Sequence, residues 1–308
     1  MGAGSTLPTH PRYNEARVPQ VCVTEFPMIS STAKTDAANP DTPQGVVKPM
    51  TVPEFRATKT RGAPLAVLTA YDWTMARILD AAGVDALLVG DSLGMVVQGE
   101  ANSLGVTVDE MVYHTRLVAK GTSRALVIAD MPFMSYQVSP SQALENAGRL
   151  IKVGRAHAVK VEGGERSADA IAAIVAADIP VMGHIGLTPQ SVHRLGGFRV
   201  QRDLDQLLHD ARAVEKAGAF AMVVECVPAD AAREITASVQ IPTIGIGAGA
   251  GCDGQVLVTH DILGLFEDLH PRFVKHYADL GQAIRTAAEQ YCREVRDRRF
   301  PGPEHTFR

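Results

Sequence analysis

Ala158-Val-Lys-Val-Glu-Gly-Gly164 is the stretch that decides the fold. Ala158, Val159 and Val161 give it the composition of a strand buried on both faces. Lys160 and Glu162 interrupt that composition two positions apart, and period-two alternation sends both to one side, with Val159 and Val161 on the other. In a barrel the charged side is the interior and the valine side meets the covering helices. Other segments repeat the arrangement of an apolar run with a polar group at its carboxyl end. They deliver Tyr71 after Leu65 to Ala70, Asp91 and Ser92 after Ala86 to Gly90, Asp130 after Leu126 to Ala129, His184 after Val181 to Gly183, and Glu225 after Ala221 to Val224. Strand carboxyl ends of a parallel β/α architecture all point one way, so these residues converge on one pocket.

Between the strands the chain reads as helices. Asp72 caps a helix whose Met75, Ile78, Leu79 and Ala82 form the expected buried stripe, and Gly83 stops it. Ser139, Pro140 and Gln142 set a cap, a first-turn proline and a capping-box residue before Ala143, Ala147, Leu150 and Ile151, with Gly154 as the end. Another helix opens near Asp203 and stops at Gly218. Counting Thr243–Ile246 and Gln255–Val258 brings the strands to eight, followed by a long amphipathic helix from about Arg272 to Arg298. The expected fold is α/β, a (β/α)8 TIM-type barrel with a C-terminal amphipathic helix. The competing open doubly wound sheet would carry a Gly-rich phosphate turn after its first strand, where this chain has Ala70-Tyr-Asp-Trp73.

Bulk properties narrow the partners. The chain has 308 residues, with Lys plus Arg 30 and Asp plus Glu 34, a net charge of -4. It has no basic block to neutralise a run of phosphates, so nucleic acid is not an expected partner. Cys22, Cys226, Cys252 and Cys292 are scattered and form no Cys-x-x-Cys pair, which suits a reducing cytoplasm better than a disulfide framework. Gly, Pro or charge breaks every apolar run well short of the ~20 residues of a membrane-spanning helix. Residues 1–48, rich in Thr, Pro, Ser and Ala, read as a flexible N-terminal extension or the product of a misplaced start codon with Met50 as the true start. The barrel domain then covers 49–308.

Asp91 and Asp130, each ending an apolar strand, could jointly hold a hard divalent cation, magnesium being the natural choice. The plainer reading is a helix cap and a strand end. Lys160 beside Glu162 reads either as part of the site or as an ion pair filling the barrel. Glu225 stands where a structural strand end would favour an apolar or small residue, and desolvation there would raise its pKa towards that of a useful general base. Its alternative is a salt bridge to Lys160. His184 either orients substrate or is a core histidine. Gly245-Ile-Gly-Ala-Gly-Ala-Gly251 has the look of a phosphate cradle, although glycines serve any tight approach.

Thr69-Ala-Tyr-Asp72, Leu88-Val-Gly-Asp-Ser-Leu-Gly-Met95, Ala129-Asp-Met-Pro-Phe133, Lys160-Val-Glu-Gly-Gly164, Gly183-His-Ile-Gly-Leu-Thr-Pro-Gln-Ser-Val192, Glu225-Cys-Val-Pro228 and Gly245-Ile-Gly-Ala-Gly249 together resemble the ketopantoate (3-methyl-2-oxobutanoate) hydroxymethyltransferases. The likeness runs from about Thr51 to the Pro-Gly-Pro-Glu-His-Thr-Phe ending. It implies a barrel assembled as a homodecamer, Mg2+, and 5,10-methylenetetrahydrofolate as one-carbon donor in pantothenate synthesis. It also implies roles: Asp91, Asp130 and Glu162 at the metal, Asp91, Ser92, Asp130 and Lys160 on the keto acid, Glu225 as proton acceptor, and His184 at the pocket. One departure is the connection after Gln201, shorter than the resemblance leads one to expect and bearing on folate contacts. Two rival functions share the fold and pocket. A phosphoenolpyruvate mutase or isocitrate lyase type enzyme would need a reactive cysteine or phosphate-binding arginines at the rim, and Cys226 is expected to point away from Glu225. A non-catalytic keto acid sensor would not require Lys160, Glu162 and Glu225 together.

Overall fold

The computed structural model describes residues 48–266 and 271–307. Eight parallel strands pair in chain order: β1 (Leu65–Thr69), β2 (Ala86–Val89), β3 (Leu126–Asp130), β4 (Ala158–Glu162), β5 (Val181–Gly186), β6 (Ala221–Glu225), β7 (Thr243–Ile246) and β8 (Gly254–Leu257). β1 also pairs with β8, which closes the barrel. The expected barrel is present, with β8 starting one residue earlier than the apolar run suggested.

Alternation divides each strand between two cores. Leu65, Val67, Leu88, Leu126, Ile128, Met182, Val223 and Val256 fill the interior. Val89, Val127, Val159, Val161, Val181 and Val224 face the helices. Helix Val52–Arg61, which the strand pattern alone did not announce, places Phe55 edge-on to Phe220 in the interior cluster, with ring centroids 5.7 Å apart. Its start was nonetheless written in the chain: Thr51 and Glu54 form a reciprocal capping box with Pro53 in the first turn, and Gly62 ends it in the left-handed region.

Three helix readings change in detail. In helix Trp73–Ala81, Asp72 caps as expected, but the buried residues are Ala76 and Leu79, and Ile78 is 58 % exposed. In helix Pro140–Lys152 the Ser139 hydroxyl accepts from the Gln142 N–H, while Gln142 Oε1 is buried without a hydrogen bond rather than completing a box. The C-terminal helix spans Leu280–Arg296, starting at the Asp279 cap and not near Arg272. None of its residues is buried, and Leu280, Ile284, Tyr291 and Val295 leave an apolar stripe uncovered. The reading of residues 1–48 as a flexible extension falls outside the described residues except for Lys48, which is exposed.

Candidate active site

Parallel register brings the strand-end charges into one row. Asp130 lies opposite Lys160, Glu162 opposite His184, and Gly186 opposite Glu225. The Lys160 ammonium stands 2.9 Å from Asp130 Oδ1 and 3.6 Å from Glu162 Oε1. His184 sets Nδ1 3.4 Å from Glu162 Oε1 and Nε2 3.2 Å from Glu225 Oε2. The result is an alternating chain of carboxylate, ammonium, carboxylate, imidazole and carboxylate across four adjacent strands. Asp91 closes the other end, its N–H donating to Asp130 Oδ2 at 3.1 Å. All of these side chains except Glu225 are buried, Glu225 keeping 15 % of its side chain exposed.

Low dielectric makes the order of charges decisive. Burial alone would discharge Lys160, but Asp130, then Glu162 and Asp91, more than offset that and hold the ammonium above the ordinary lysine range. Against the cost of burial, His184 and then Lys160 keep the Glu162 carboxyl down at about 2. Burial, then the charges of Asp130 and Glu162, push the Asp91 carboxyl up to about 8. For His184, burial and Lys160 work against the charge, yet Glu162 and Glu225 prevail and raise it to about 9. An imidazolium at neutral pH is therefore expected. Because its folded value lies above the ordinary 6.5, its stabilisation is fully present below pH 6.5 and is lost as pH rises through about 9. An NMR titration of the His184 ring protons should show a midpoint near 9, and a midpoint at or below 6.5 would contradict the arrangement.

These groups line a cavity of about 460 Å³ at the carboxyl ends of the strands, within the usual range of ligand sites. Asp91, Ser92, Asp130, Lys160, Glu162, His184 and Glu225 all reach it, so each residue given a candidate role is brought to the same mouth. Tyr71, expected at the same mouth, does not line the cavity, and its hydroxyl shares a 2.8 Å hydrogen bond with Ser92 Oγ. Glu225 meets His184 instead of the apolar surroundings or the Lys160 bridge considered from the sequence.

Cys226 departs from expectation. It has φ 48°, a left-handed conformation that breaks alternation directly after β6, and it lines the cavity beside Glu225. Burial and then the Glu225 charge push its thiol up to about 12, which keeps it a poor nucleophile. The glycines after β7 serve close packing: a Cβ on Gly247, at φ 61°, would sit 2.8 Å from the Phe273 ring. The connection after Leu195 carries Phe198 and Val200 to the cavity rim, where Phe266 and Phe273 complete an apolar outer wall and Arg272 adds a cation. Sequence reasoning missed Gln190 and Tyr136, which form a buried network behind the carboxylates. Gln190 lay within the Gly183–Val192 motif without being singled out, and the signal for Tyr136 was its place in the loop following β3.

Among the described residues, no three His, Cys, Asp or Glu side chains already converge as a preformed ligand set. The pair of Asp91 and Asp130 nevertheless suits a hard cation. Two buried carboxyls repel one another, one of them driven towards neutrality, while Asp130 Oδ1 is ion-paired with Lys160 at 2.9 Å. A divalent cation taking oxygen ligands from both carboxyls would relieve their repulsion.

Residues 49–303 match the family model described as ketopantoate hydroxymethyltransferase. A protein of Trichlorobacter lovleyi named 3-methyl-2-oxobutanoate hydroxymethyltransferase is 56 % identical over 263 residues, covering 84 % of this chain and 99 % of its own length. One of the same name from Enterococcus faecalis is 55 % identical over 258 residues, covering 82 % and 94 %. Among solved structures, 2,3-dimethylmalate lyase, a member of the phosphoenolpyruvate mutase/isocitrate lyase superfamily, superposes with TM-score 0.54 at 18 % identity over 83 % of this chain and 91 % of that one. Phosphonopyruvate hydrolase in complex with oxalate and Mg++ gives TM-score 0.53 at 16 % identity, over 83 % and 93 %. At such identity the structural likeness speaks for the barrel alone, and the far closer sequence relatives favour the transferase over the mutase or lyase alternative.

Proposed function

The chain belongs to the ketopantoate hydroxymethyltransferase family, and from that premise we propose how its cavity performs the reaction. The enzyme adds a hydroxymethyl group to 3-methyl-2-oxobutanoate to form ketopantoate, a step of pantothenate synthesis. The observation that carries the mechanism is the charge row from Asp130 through Lys160, Glu162 and His184 to Glu225 in one cavity.

In this reading the keto acid enters with its carboxylate and ketone towards Asp91, Ser92, Asp130 and Lys160. Asp91 and Asp130, with Glu162 as the third residue of the family pattern, would hold Mg2+. When bound, that ion supplies charge that polarises the ketone and makes the neighbouring C–H acidic. Lys160, held charged in a dry site, adds a second positive charge facing the oxygen on which negative charge develops. Glu225, the most accessible carboxylate of the row, takes the proton from C3. His184 faces its inner oxygen and keeps it oriented. C3 then forms a bond to the methylene carbon of 5,10-methylenetetrahydrofolate, whose bonds to the two folate nitrogens are given up, and water supplies the hydroxyl oxygen. The apolar outer wall of Phe198, Val200, Phe266 and Phe273, with Arg272, offers the flat donor its place.

Incubating enzyme, Mg2+ and 3-methyl-2-oxobutanoate in deuterated water without folate tests proton abstraction apart from transfer. Exchange at C3 followed by NMR is the expected result; no exchange above the enzyme-free rate would refute the roles given to Lys160 and Glu225.

We further propose that the enzyme works as a homo-oligomer, the homodecamer of the family resemblance being the expected form. The uncovered stripe of helix Leu280–Arg296 supports this, since four large apolar side chains on one face are costly to leave in water. Light scattering should give a multiple of the 32.9 kDa chain, and a monomeric mass at micromolar concentration would end the proposal. We place it in the cytoplasm, in keeping with free Cys226, Cys252 and Cys292, and cell fractionation checks that.

A further inference from the structure

Leu187-Thr-Pro-Gln-Ser191 follows β5 and folds into a short 3-10 turn, Pro189–Ser191. Arg166 Nη2 clamps the turn by donating to Thr188 Oγ1 and Ser191 Oγ, both at 3.0 Å. Gln190, between them, is 6 % exposed. Its Nε2 donates to Asp91 Oδ2 and to the Met131 carbonyl, each at 2.9 Å. Its Oε1 accepts from the Tyr136 hydroxyl at 2.7 Å and from Gln137 Nε2 at 3.1 Å. Its backbone N–H donates to Glu162 Oε2 at 3.2 Å. Both amide protons and both lone pairs are therefore used.

The network dictates which way the amide faces. Turned over, its oxygen would confront the Asp91 carboxylate and the Met131 carbonyl, and its N–H would confront the Gln137 N–H. Glu in this position has no donor for Asp91, and Asn is one methylene too short to span the same partners. One residue thus ties together the ends of β2, β3 and β4 from the loop after β5: its carboxamide reaches Asp91 and the Met131 carbonyl, and its backbone N–H reaches Glu162.

We propose that Gln190 is a positioning residue for the keto acid and metal site: its carboxamide, aimed by Tyr136 and Gln137, fixes Asp91, and its backbone N–H fixes Glu162. This rests on the reading of Asp91 and Glu162 given above. Tyr136 extends the same device, since the one hydroxyl proton it gives to Gln190 Oε1 at 2.7 Å is shared with the Glu162 carbonyl at 3.2 Å.

Partners that orient metal-binding side chains typically change affinity or activity by about 10- to 100-fold when removed. Gln190→Met keeps length and burial but supplies no hydrogen bond. It should weaken calorimetric binding of Mg2+, with and without keto acid, by roughly that factor. The KM for keto acid should rise in step, with kcat changed less and the melting temperature close to wild type. Gln190→Glu should lose at least as much. Tyr136→Phe, which leaves Gln137 on Oε1, should show the same pattern in smaller measure and reports independently if the Gln190 variants fold poorly. Asp91→Ala is run alongside. Wild-type Mg2+ and keto acid affinity in Gln190→Met, with binding lost in Asp91→Ala, overturns the inference alone. Wild-type affinity in both overturns the reading of the site and the inference with it. Losses in Gln190→Met that follow only a collapse of melting temperature, with Tyr136→Phe unchanged, also overturn it.

Discussion

Glu225→Gln should lose about 10² to 10⁴-fold in both deuterium exchange at C3 and hydroxymethyl transfer, the usual contribution of a general base, while keto acid binding hardly changes. The amide keeps the shape of the carboxylate beside His184 Nε2, which stands 3.2 Å from Glu225 Oε2. It has no basicity with which to take the proton. Equal losses in exchange and transfer are the informative part, because they place the defect before the donor is used. Exchange at the wild-type rate would move the base elsewhere. His184, the alternative suggested by strand position, is poorly suited to inherit the role: both its nitrogens face carboxylates, and raised to about 9 it is already protonated near neutrality.

Lys160→Met should destabilise the fold by about 3–5 kcal/mol in metal-free buffer at neutral pH, the range found when one partner of a buried ion pair is removed. Met matches the length of the Lys stem and leaves little cavity, so the loss is electrostatic. Asp130 at 2.9 Å and Glu162 at 3.6 Å would be left without the charge that compensates them, next to Asp91. Urea unfolding with an unchanged m-value gives the number. Mg2+ should restore part of the loss in this variant if Asp91 and Asp130 bind it, and acid should narrow the gap as the carboxylates protonate. A variant as stable as the wild type in metal-free buffer would show that the row does not carry the charges assigned to it.

The chain alone determined a good deal. Ala158–Glu162 announced a strand with an inward Lys160 and Glu162, and the structure puts both in the cavity with Val159 and Val161 in the outer core. Strand alternation and the common direction of parallel strands are local, repeating properties, so they are readable wherever apolar runs and their polar ends recur. Capping signals worked for the same reason: Asp72, Ser139 and Asp203 act on backbone N–H groups three residues away.

What required the tertiary structure was everything set by partners distant in sequence. The pairing of Asp130 with Lys160, and of Glu162 and Glu225 with His184, comes from register between strands. That register raises the His184 imidazole to about 9 and sets Glu225 against it instead of apolar surroundings. Gln190 meets Asp91 across 99 residues of chain, a contact no local pattern encodes. Cys226 turns into the cavity because its own left-handed conformation ends alternation, and Ile78 stays exposed although it continues the apolar stripe of its helix. Alternation and capping are short-range effects of backbone geometry, legible one element at a time. The charge states and orientations of the site are sums over long-range neighbours in a low dielectric, which exist only once the barrel has closed.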